Sequence, residues 1–172
     1  MKYIIFFFLI LFYSSADSQT PKSADEILKN AFVKAETENK KVFIIFHASW
    51  CVWCHRMDTS MNDPSVKPFF DRSFVIEHLV VKESTQKKHL ENEGAEDFLT
   101  KYDGKDLGIP YWLIFDSKGK LLADAQLRPG ENAGCPATKE EVDYFIKVLK
   151  NTSKITPSEI TAVEARFRRN ER

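Results

Sequence analysis

The most constraining feature of the sequence is an apolar segment that runs almost directly into two cysteines. Val42–Phe46 is continuously apolar, and three of its five residues are β-branched. This pattern predicts a short strand that is buried on both faces. Cys51 and Cys54 follow after a few small or polar residues and Trp50, where a helix is expected to begin. The chain therefore predicts a buried strand, a cysteine pair and a helix, in that order.

A position at the start of a helix favours thiol chemistry. Helix N-termini leave backbone N–H groups without partners and carry the positive end of the helix dipole. Both effects stabilise a thiolate, so we expect Cys51 to have a lowered pKa and to act as an accessible nucleophile. Cys54 lies one turn further on the same face and can close a disulfide with Cys51. The residues alone thus indicate a redox-active pair, in which Cys51 attacks and Cys54 resolves.

Length and composition limit the classes of protein that fit. A chain of 172 residues suffices for one domain with a sizeable core. Hydrophobic residues make up 43% and charged residues 29%, which indicates a globular chain. The 25 basic and 25 acidic residues give zero net charge, so nothing in the charge favours a nucleic-acid partner. Three cysteines are too few for a disulfide framework, so the pair is interpreted for its chemistry.

Residues 1–16 predict a cleaved secretory signal peptide. Met1-Lys2 provides a short positive start, Tyr3–Tyr13 is an eleven-residue apolar run, and Ser14–Ala16 are small. The run is shorter than the roughly 20 residues that span a bilayer, although an uncleaved anchor is the alternative. We expect cleavage at Ala16 or a few residues later, and a secreted or periplasmic protein. In that oxidising location the pair needs a redox partner that donates or accepts electrons, for which a membrane protein is one candidate.

Helical and extended patterns alternate along the rest of the chain. Capping boxes at Ser23–Glu26 and at Thr138 predict the starts of a first and a closing helix. Gly119, between two apolar runs, indicates a hairpin. The alternation predicts an α/β fold, with a central mixed β-sheet and helices on both faces. The remaining expected segments are an edge or partly exposed strand at Phe74–Val81, a helix in the second half of Lys87–Tyr102, hairpin strands at Tyr111–Phe115 and Lys120–Ala125, and a loop at Gln126–Pro136.

The last residues predict an additional helix. Thr156 and Glu159 form a further capping box, and Ile160, Val163 and Phe167 lie on one helical face. Packing of this helix on the domain is favoured over docking on a partner. We therefore divide the chain into a domain at residues 23–150 and a C-terminal helical extension at residues 151–172.

The cysteine segment resembles the thioredoxin superfamily. The residues that carry the resemblance are Trp50, Cys51, Trp53 and Cys54 after a buried strand, together with Gly108-Ile109-Pro110 before a second strand. The Trp-Cys-x-Trp-Cys spelling is most similar to secreted or periplasmic thioredoxin-like proteins. The resemblance implies a thioredoxin fold and thiol-disulfide oxidoreductase activity. It also implies that Pro110 is cis and lies against the disulfide, and that Ile109 and Pro110 shape a substrate groove.

Two strand positions depart from thioredoxin itself. Ile45 stands where the resemblance implies a buried acid, and His47 stands where it implies a tryptophan. The proton acceptor for Cys54 is therefore unassigned. His47 and His55 are candidates for modulating the thiol pKa values, although a structural histidine and a solvated one are the simpler interpretations. Trp50 and Trp53 are expected to form an apolar docking surface beside the sulfurs, or to pack in the core.

The cysteine pair also fits three other interpretations. The sequence also matches Cys-x-x-Cys-His, the attachment pattern of c-type haem, at Cys51, Cys54 and His55. A zinc site is weaker because no second ligand pair has the right spacing, and a passive disulfide in a non-catalytic binding module is a further alternative. The buried strand before the pair and the Ile109-Pro110 dipeptide favour redox chemistry, with protein thiols and disulfides as partners. We expect no metal, no cofactor beyond the Cys51–Cys54 disulfide, and a free, incidental thiol at Cys135.

Overall fold

The computed structural model describes residues 21–171, so the predicted signal peptide lies outside the described residues. None of the helices in this range is long and apolar enough to cross a bilayer. The helices are α1 (Ala24–Glu38), α2 (Val52–Met61), α3 (Lys67–Ser73), α4 (Ala95–Lys101), α5 (Lys139–Thr152) and α6 (Pro157–Phe167), with 3₁₀ turns at Thr85–Leu90 and Arg168–Glu171. The strands are β1 (Lys41–His47), β2 (Phe74–Val80), β3 (Tyr111–Phe115), β4 (Leu121–Asp124), β5 (Gln126–Arg128) and β6 (Glu131–Asn132).

A four-stranded mixed sheet forms the centre, in the order β2-β1-β3-β4. β1 is parallel to β2 and antiparallel to β3, and β3 and β4 form the predicted antiparallel hairpin. Val42–Phe46 has no exposed surface, which confirms the prediction of a strand buried on both faces. The β-branched and aromatic residues of β1 pack alternately into the two core layers, one on each face of the sheet. β2 is an edge strand with a partly exposed middle, as its polar residues predicted.

Helices cover both faces of this sheet. On one face, Phe46 of β1 packs near Phe98 of α4, with ring centroids 6.1 Å apart. On the other face, Phe43 lies 6.4 Å from Phe145 of α5. α2 also covers this second face, because Asp58 of α2 hydrogen-bonds His78 of β2. The α/β architecture predicted from the sequence, a central mixed sheet flanked by helices, is confirmed.

The segment Gln126–Pro136 differs from its prediction as a loop. It contains the short strands β5 and β6, which pair as a separate two-stranded sheet. Ala133 N–H donates to the carbonyl of Ala125 at 2.7 Å, which closes the segment against the end of the β3–β4 hairpin. Strands of three and two residues are too short for an alternating hydrophobic pattern, so periodicity could not reveal them.

α6 packs back on the domain. Val163 and Phe167 are fully buried, as the pattern of this helix predicted. The ring of Phe167 lies 5.0 Å from that of Phe145 on α5 and 6.3 Å from that of Phe70 on α3. The aromatic core therefore continues across residue 150. The division of the chain at that residue stays a prediction.

Truncating Phe167 tests whether α6 is part of the core. Phe167→Ala removes a fully buried ring and leaves a cavity between α3 and α5. We expect it to lower the free energy of unfolding by about 3–5 kcal/mol. Urea unfolding followed by circular dichroism measures this loss. Val33→Ala on α1 is the control, since Val33 is 60% exposed and its loss should cost less than about 0.5 kcal/mol. Equal, small effects of the two substitutions would mean that α6 contributes little to stability.

Candidate functional site

The cysteine pair lies at the junction of β1 and α2. Cys51 is the N-cap residue of α2, and Cys54 lies in its first turn. Their sulfurs form a disulfide with an S–S distance of 2.09 Å and a Cα–Cα distance of 5.3 Å. Cys54 N–H donates to Cys51 Sγ at 3.1 Å, so this sulfur occupies the position of a capping side chain. When the pair is reduced, a negative charge on Cys51 at this position is stabilised by the same N–H group and by the helix dipole.

A second wall of the site comes from the loop before β3. The Ile109–Pro110 peptide bond is cis, as the resemblance implied. The carbonyl oxygen of Ile109 lies 3.5 Å from Cys51 Sγ. Asn132 of β6 holds this loop, because its Nδ2 donates to the carbonyl of Gly108 at 2.6 Å and to that of Pro110 at 3.2 Å. The strand pair missed from the sequence thus holds the Ile109–Pro110 loop, whose Ile109 carbonyl faces Cys51.

The oxidised pair is less accessible than the sequence led us to expect. Cys51 is 3% exposed and Cys54 is 1% exposed, and the side chain of Ile109 packs against them. The physical reason is that Ala48 and Ile109 pack against both cysteines and cover them. Ile109 therefore borders the sulfur of Cys51 on this side.

Exposed apolar side chains flank the pair. Trp50 is 56% exposed, Val52 is 63% exposed and Trp53 is 44% exposed. Trp53 packs against Arg56, whose guanidinium carbon lies 4.6 Å from the ring centroid. A cleft of about 390 Å³ lies between Trp53, the Ile109–Pro110 loop and Asn132. The tryptophans are therefore on the surface rather than in the core, and one of them borders a concave site.

The turn that carries Trp50 is anchored by the segment after β2. Both the backbone N–H and the hydroxyl of Ser49 donate to the carboxylate of Glu83, the latter at 2.9 Å. Trp50 Nε1 donates to the carbonyl of Lys82 at 2.8 Å. Burial raises the pKa of Glu83, but the hydrogen bonds from Ser49 and the charge of Lys87 outweigh it, so the pKa is lower than usual. Sequence reasoning missed Glu83, although a glutamate two residues after the predicted strand Phe74–Val81 was a visible signal.

The two candidate histidines occupy different surroundings. His55 is exposed, and its Nε2 lies 3.1 Å from the carbonyl oxygen of Ser49. His47 is half-buried, and its ring lies 4.8 Å from that of His78. Burial, followed by the nearby His78, lowers the pKa of His47. The structure therefore places His55 on the surface of the site and His47 beneath α2.

Cys135 is a buried, free thiol. It is 5% exposed, and burial raises its pKa to about 12. Asn170, after α6, directs its Nδ2 toward Cys135 Sγ at 3.4 Å and toward the hydroxyl of Ser60 at 3.1 Å. Ser60 belongs to α2, so the segment after α6 is hydrogen-bonded through Asn170 to the helix that carries the cysteine pair. Within residues 21–171, no three metal-binding side chains come together.

The sequence was compared with families and with known proteins. Residues 24–117, just over half of the chain, match a family described as thioredoxin-like. This range includes both cysteines of the pair, Ile109 and Pro110. No curated protein sequence matches the chain.

Several solved structures are similar to this chain. A disulphide isomerase from Xylella fastidiosa Temecula1 is 21% identical over 67% of this chain and 79% of its own, with a TM-score of 0.48. A thioredoxin from Thermus thermophilus is 15% identical over 75% and 83%, with a TM-score of 0.47. The C-terminal domain of Neisseria meningitidis DsbD in the oxidised form is 25% identical over 60% and 83%, with a TM-score of 0.41. The family assignment depends on the sequence match, because all three TM-scores are below 0.5.

Replacing Glu83 tests its role in anchoring the turn. The pKa of Glu83 is lowered, so its charged carboxylate stabilises the fold at pH values above the ordinary pKa of 4.5. This stabilisation is lost as the pH falls through the lowered pKa. We expect Glu83→Gln to lower the free energy of unfolding by about 1–2 kcal/mol at neutral pH. Near pH 3 the variant and the wild type should differ much less. Urea unfolding at both pH values is the measurement, with the exposed Glu93→Gln as control. A deficit that does not change with pH would contradict this role.

Alkylation tests the difference between Cys135 and the redox pair. In the reduced, folded protein we expect iodoacetamide to modify Cys51 first. Cys135 should remain unmodified until the protein is unfolded, because a buried thiol with a pKa of about 12 contains almost no thiolate at neutral pH. Mass spectrometry of peptides after timed alkylation measures each rate. Modification of Cys135 as fast as that of Cys51 would contradict the placement of both thiols.

Proposed function

Because the chain belongs to the thioredoxin-like family, we propose that it is a thiol-disulfide oxidoreductase that exchanges disulfides with partner proteins through Cys51 and Cys54. One observation carries the proposal. The two cysteines are bonded to each other at the first turn of α2, with Cys51 facing the Ile109–Pro110 loop. A redox pair needs this arrangement, with one sulfur stabilised as a thiolate and the second within bonding distance behind it.

In the proposed reaction the reduced pair transfers two electrons to a disulfide in a partner. The Cys51 thiolate attacks one sulfur of that disulfide, and the other partner sulfur leaves as a thiolate. A mixed disulfide now joins Cys51 to the partner. Cys54 loses its proton and attacks Cys51 Sγ, which forms the Cys51–Cys54 bond and releases the second partner thiolate. In reverse, the same steps oxidise a dithiol in the partner.

The surface around the pair supports a protein substrate. Trp50, Val52 and Trp53 expose apolar area that a partner chain can cover while it forms the mixed disulfide. The cleft beside Trp53 continues along the Ile109–Pro110 loop, where an extended segment of the partner can lie. Ile109 and Pro110 then shape the groove, and their backbone orients the partner disulfide toward Cys51. With zero net charge, the chain has no general preference for acidic or basic partners.

We place the reaction outside the cytosol, in the periplasm or after secretion. The support for this location is the sequence of residues 1–16, which has the positive start, the short apolar run and the small residues of a signal peptide. In an oxidising compartment the pair accumulates as the disulfide. Turnover as a reductase therefore needs an electron donor, and turnover as an oxidase needs an acceptor.

Two alternatives have less support. A non-catalytic binding module would use the same apolar surface, but it needs no cysteine at the N-cap of a helix. Covalent haem would need both sulfurs as thioethers and a free nitrogen of His55. The buried strand that precedes the pair and the match to the thioredoxin-like family favour redox chemistry over haem attachment. Absorption spectroscopy of the purified protein separates the haem alternative, because only a haem protein shows a Soret band.

Removing the attacking thiol tests the proposed function. Cys51→Ser should reduce insulin disulfides at less than about 1% of the wild-type rate with dithiothreitol as electron source, because a serine hydroxyl cannot form the mixed disulfide. The turbidity of precipitating insulin chains measures the rate. His89→Ser on the exposed 3₁₀ turn Thr85–Leu90 is the control, and its rate should equal that of the wild type. Full activity of Cys51→Ser would refute the assignment of the nucleophile. Inactivity of the wild type would favour the binding module.

A further inference from the structure

The resolving step requires Cys54 to lose a proton at a place that water hardly reaches. Cys54 is 1% exposed and packs with Ala48 and Ile109. A buried thiol is a poor nucleophile until a nearby group accepts its proton. The strand beneath α2 offers no carboxylate for this, because Ile45 is apolar and fully buried. A different group must therefore be the acceptor.

The next residue on the same face of β1 is His47. In the parallel pairing of β1 with β2, Ile45 is opposite His78 and His47 is opposite Val80, so these four side chains share one face of the sheet. Asp58 of α2 hydrogen-bonds His78, with Nε2 and Oδ1 2.7 Å apart. This face is therefore the one that α2 covers.

The register of the two elements directs the first turn of α2, which contains Cys54, toward the His47 end of β1. α2 runs back over β1 after the turn at residues 48–51. Cys54 precedes Asp58 by four residues of α2, so it lies about 6 Å closer to the loop at residues 48–51. His47 lies two strand residues, about 6.6 Å, beyond the Ile45–His78 pair in the same direction. Because Asp58 touches His78, the equal displacement puts Cys54 near the level of His47 along the strand.

One ring nitrogen of His47, Nδ1, is buried without a hydrogen-bond partner among the described residues. Buried polar atoms are nearly always paired, so an unpaired ring nitrogen needs an explanation. In the disulfide form Cys54 has no proton to donate, whereas in the dithiol form its S–H can donate to this nitrogen.

We propose that His47 is the general base of the resolving step, and that its Nδ1 takes the proton of Cys54 as Cys54 attacks the mixed disulfide. This inference rests on the proposed function. The S–H bond of Cys54 breaks, and its electron pair forms the bond to Cys51 Sγ. The bond between Cys51 and the partner sulfur breaks, and the partner leaves as a thiolate. The imidazolium of His47 then returns its proton to solvent, which the partly exposed position of the residue permits.

The charges around His47 fit this role. His78 of β2 and His55 of α2 oppose its protonation, and Asp58 of α2 and Glu83 after β2 favour it. Burial is the largest influence and lowers the pKa of His47, so the ring is neutral and can accept a proton at neutral pH. The carboxylate of Asp58, which is held by His78, partly offsets the charge of the imidazolium once it forms.

A small disulfide with coloured products separates the two steps of the reaction. Reduced protein mixed with dithiobis-nitrobenzoate releases one nitrothiobenzoate when Cys51 attacks, and a second when Cys54 resolves the mixed disulfide. Stopped-flow absorbance therefore follows both steps in one trace. In His47→Gln we expect the second step to be about 100-fold slower at neutral pH, and the first step to change by less than about twofold. The deficit should shrink as the pH rises and Cys54 ionises without help. His89→Gln, on the exposed 3₁₀ turn, is the control, and both of its steps should match the wild type.

Two further measurements keep the test independent of how well one variant folds. His47→Asn retains a polar atom but cannot accept the proton, so its second step should also be slow. In the wild type, the pH midpoint of the second step should coincide with the titration of His47 followed by nuclear magnetic resonance. An unchanged second step in either folded variant, or two midpoints that differ, would overturn the proposal while leaving the oxidoreductase function intact. The absence of a first step in the wild type would refute both.

Discussion

The site depends on how β1 is buried. Val42–Phe46 pairs with β2 on one side and β3 on the other, and helices cover both of its faces, so the strand has no freedom to shift. A slip by one residue would turn Phe43 and Ile45 to the opposite layer of the core. The tight turn at residues 48–51 then fixes the start of α2 relative to the end of the strand. The core thus determines where the sulfur of Cys51 lies, and this position is the N-terminus of α2, where a negative charge is stabilised.

Two separate segments hold the turn and the facing loop in place. On one side, Glu83 binds the backbone and the hydroxyl of Ser49. On the other, Asn132 binds the carbonyls of Gly108 and Pro110. Each of these two side chains makes two hydrogen bonds. Glu83 binds the turn before Cys51, and Asn132 binds the loop whose Ile109 packs against the cysteines. Such support keeps the pair and the proline loop in register and leaves the apolar side chains around the pair exposed.

The elements that could be predicted from the sequence are those with local signals. β1 was predicted from its continuous apolar run, and α5 from its capping box and helical period. Cys51 was placed at the start of α2 because its position after the strand is a local feature. The cis proline could be expected only through the resemblance to thioredoxins, since nothing in the spacing of Ile109 and Pro110 requires it.

The missed features depend on contacts between distant parts of the chain. Glu83 reaches Ser49 because β2 is parallel to β1, and this register cannot be read from either segment alone. His78 comes beside His47 for the same reason. Asn170 meets Cys135 across 35 residues, and the two belong together only because α6 folds back on the domain. Side-chain pairs of this kind become visible once the sheet order and the helix packing are known.

The central claim is that the start of α2 makes Cys51 a thiolate at neutral pH. The most direct measurement is the ultraviolet absorbance of thiolate in the reduced protein as a function of pH, with the Cys51→Ser protein subtracted. We expect a pKa for Cys51 at least one unit below the value of about 8.5 for a free cysteine. A pKa at or above that value would contradict it, and the pair would then be a passive disulfide.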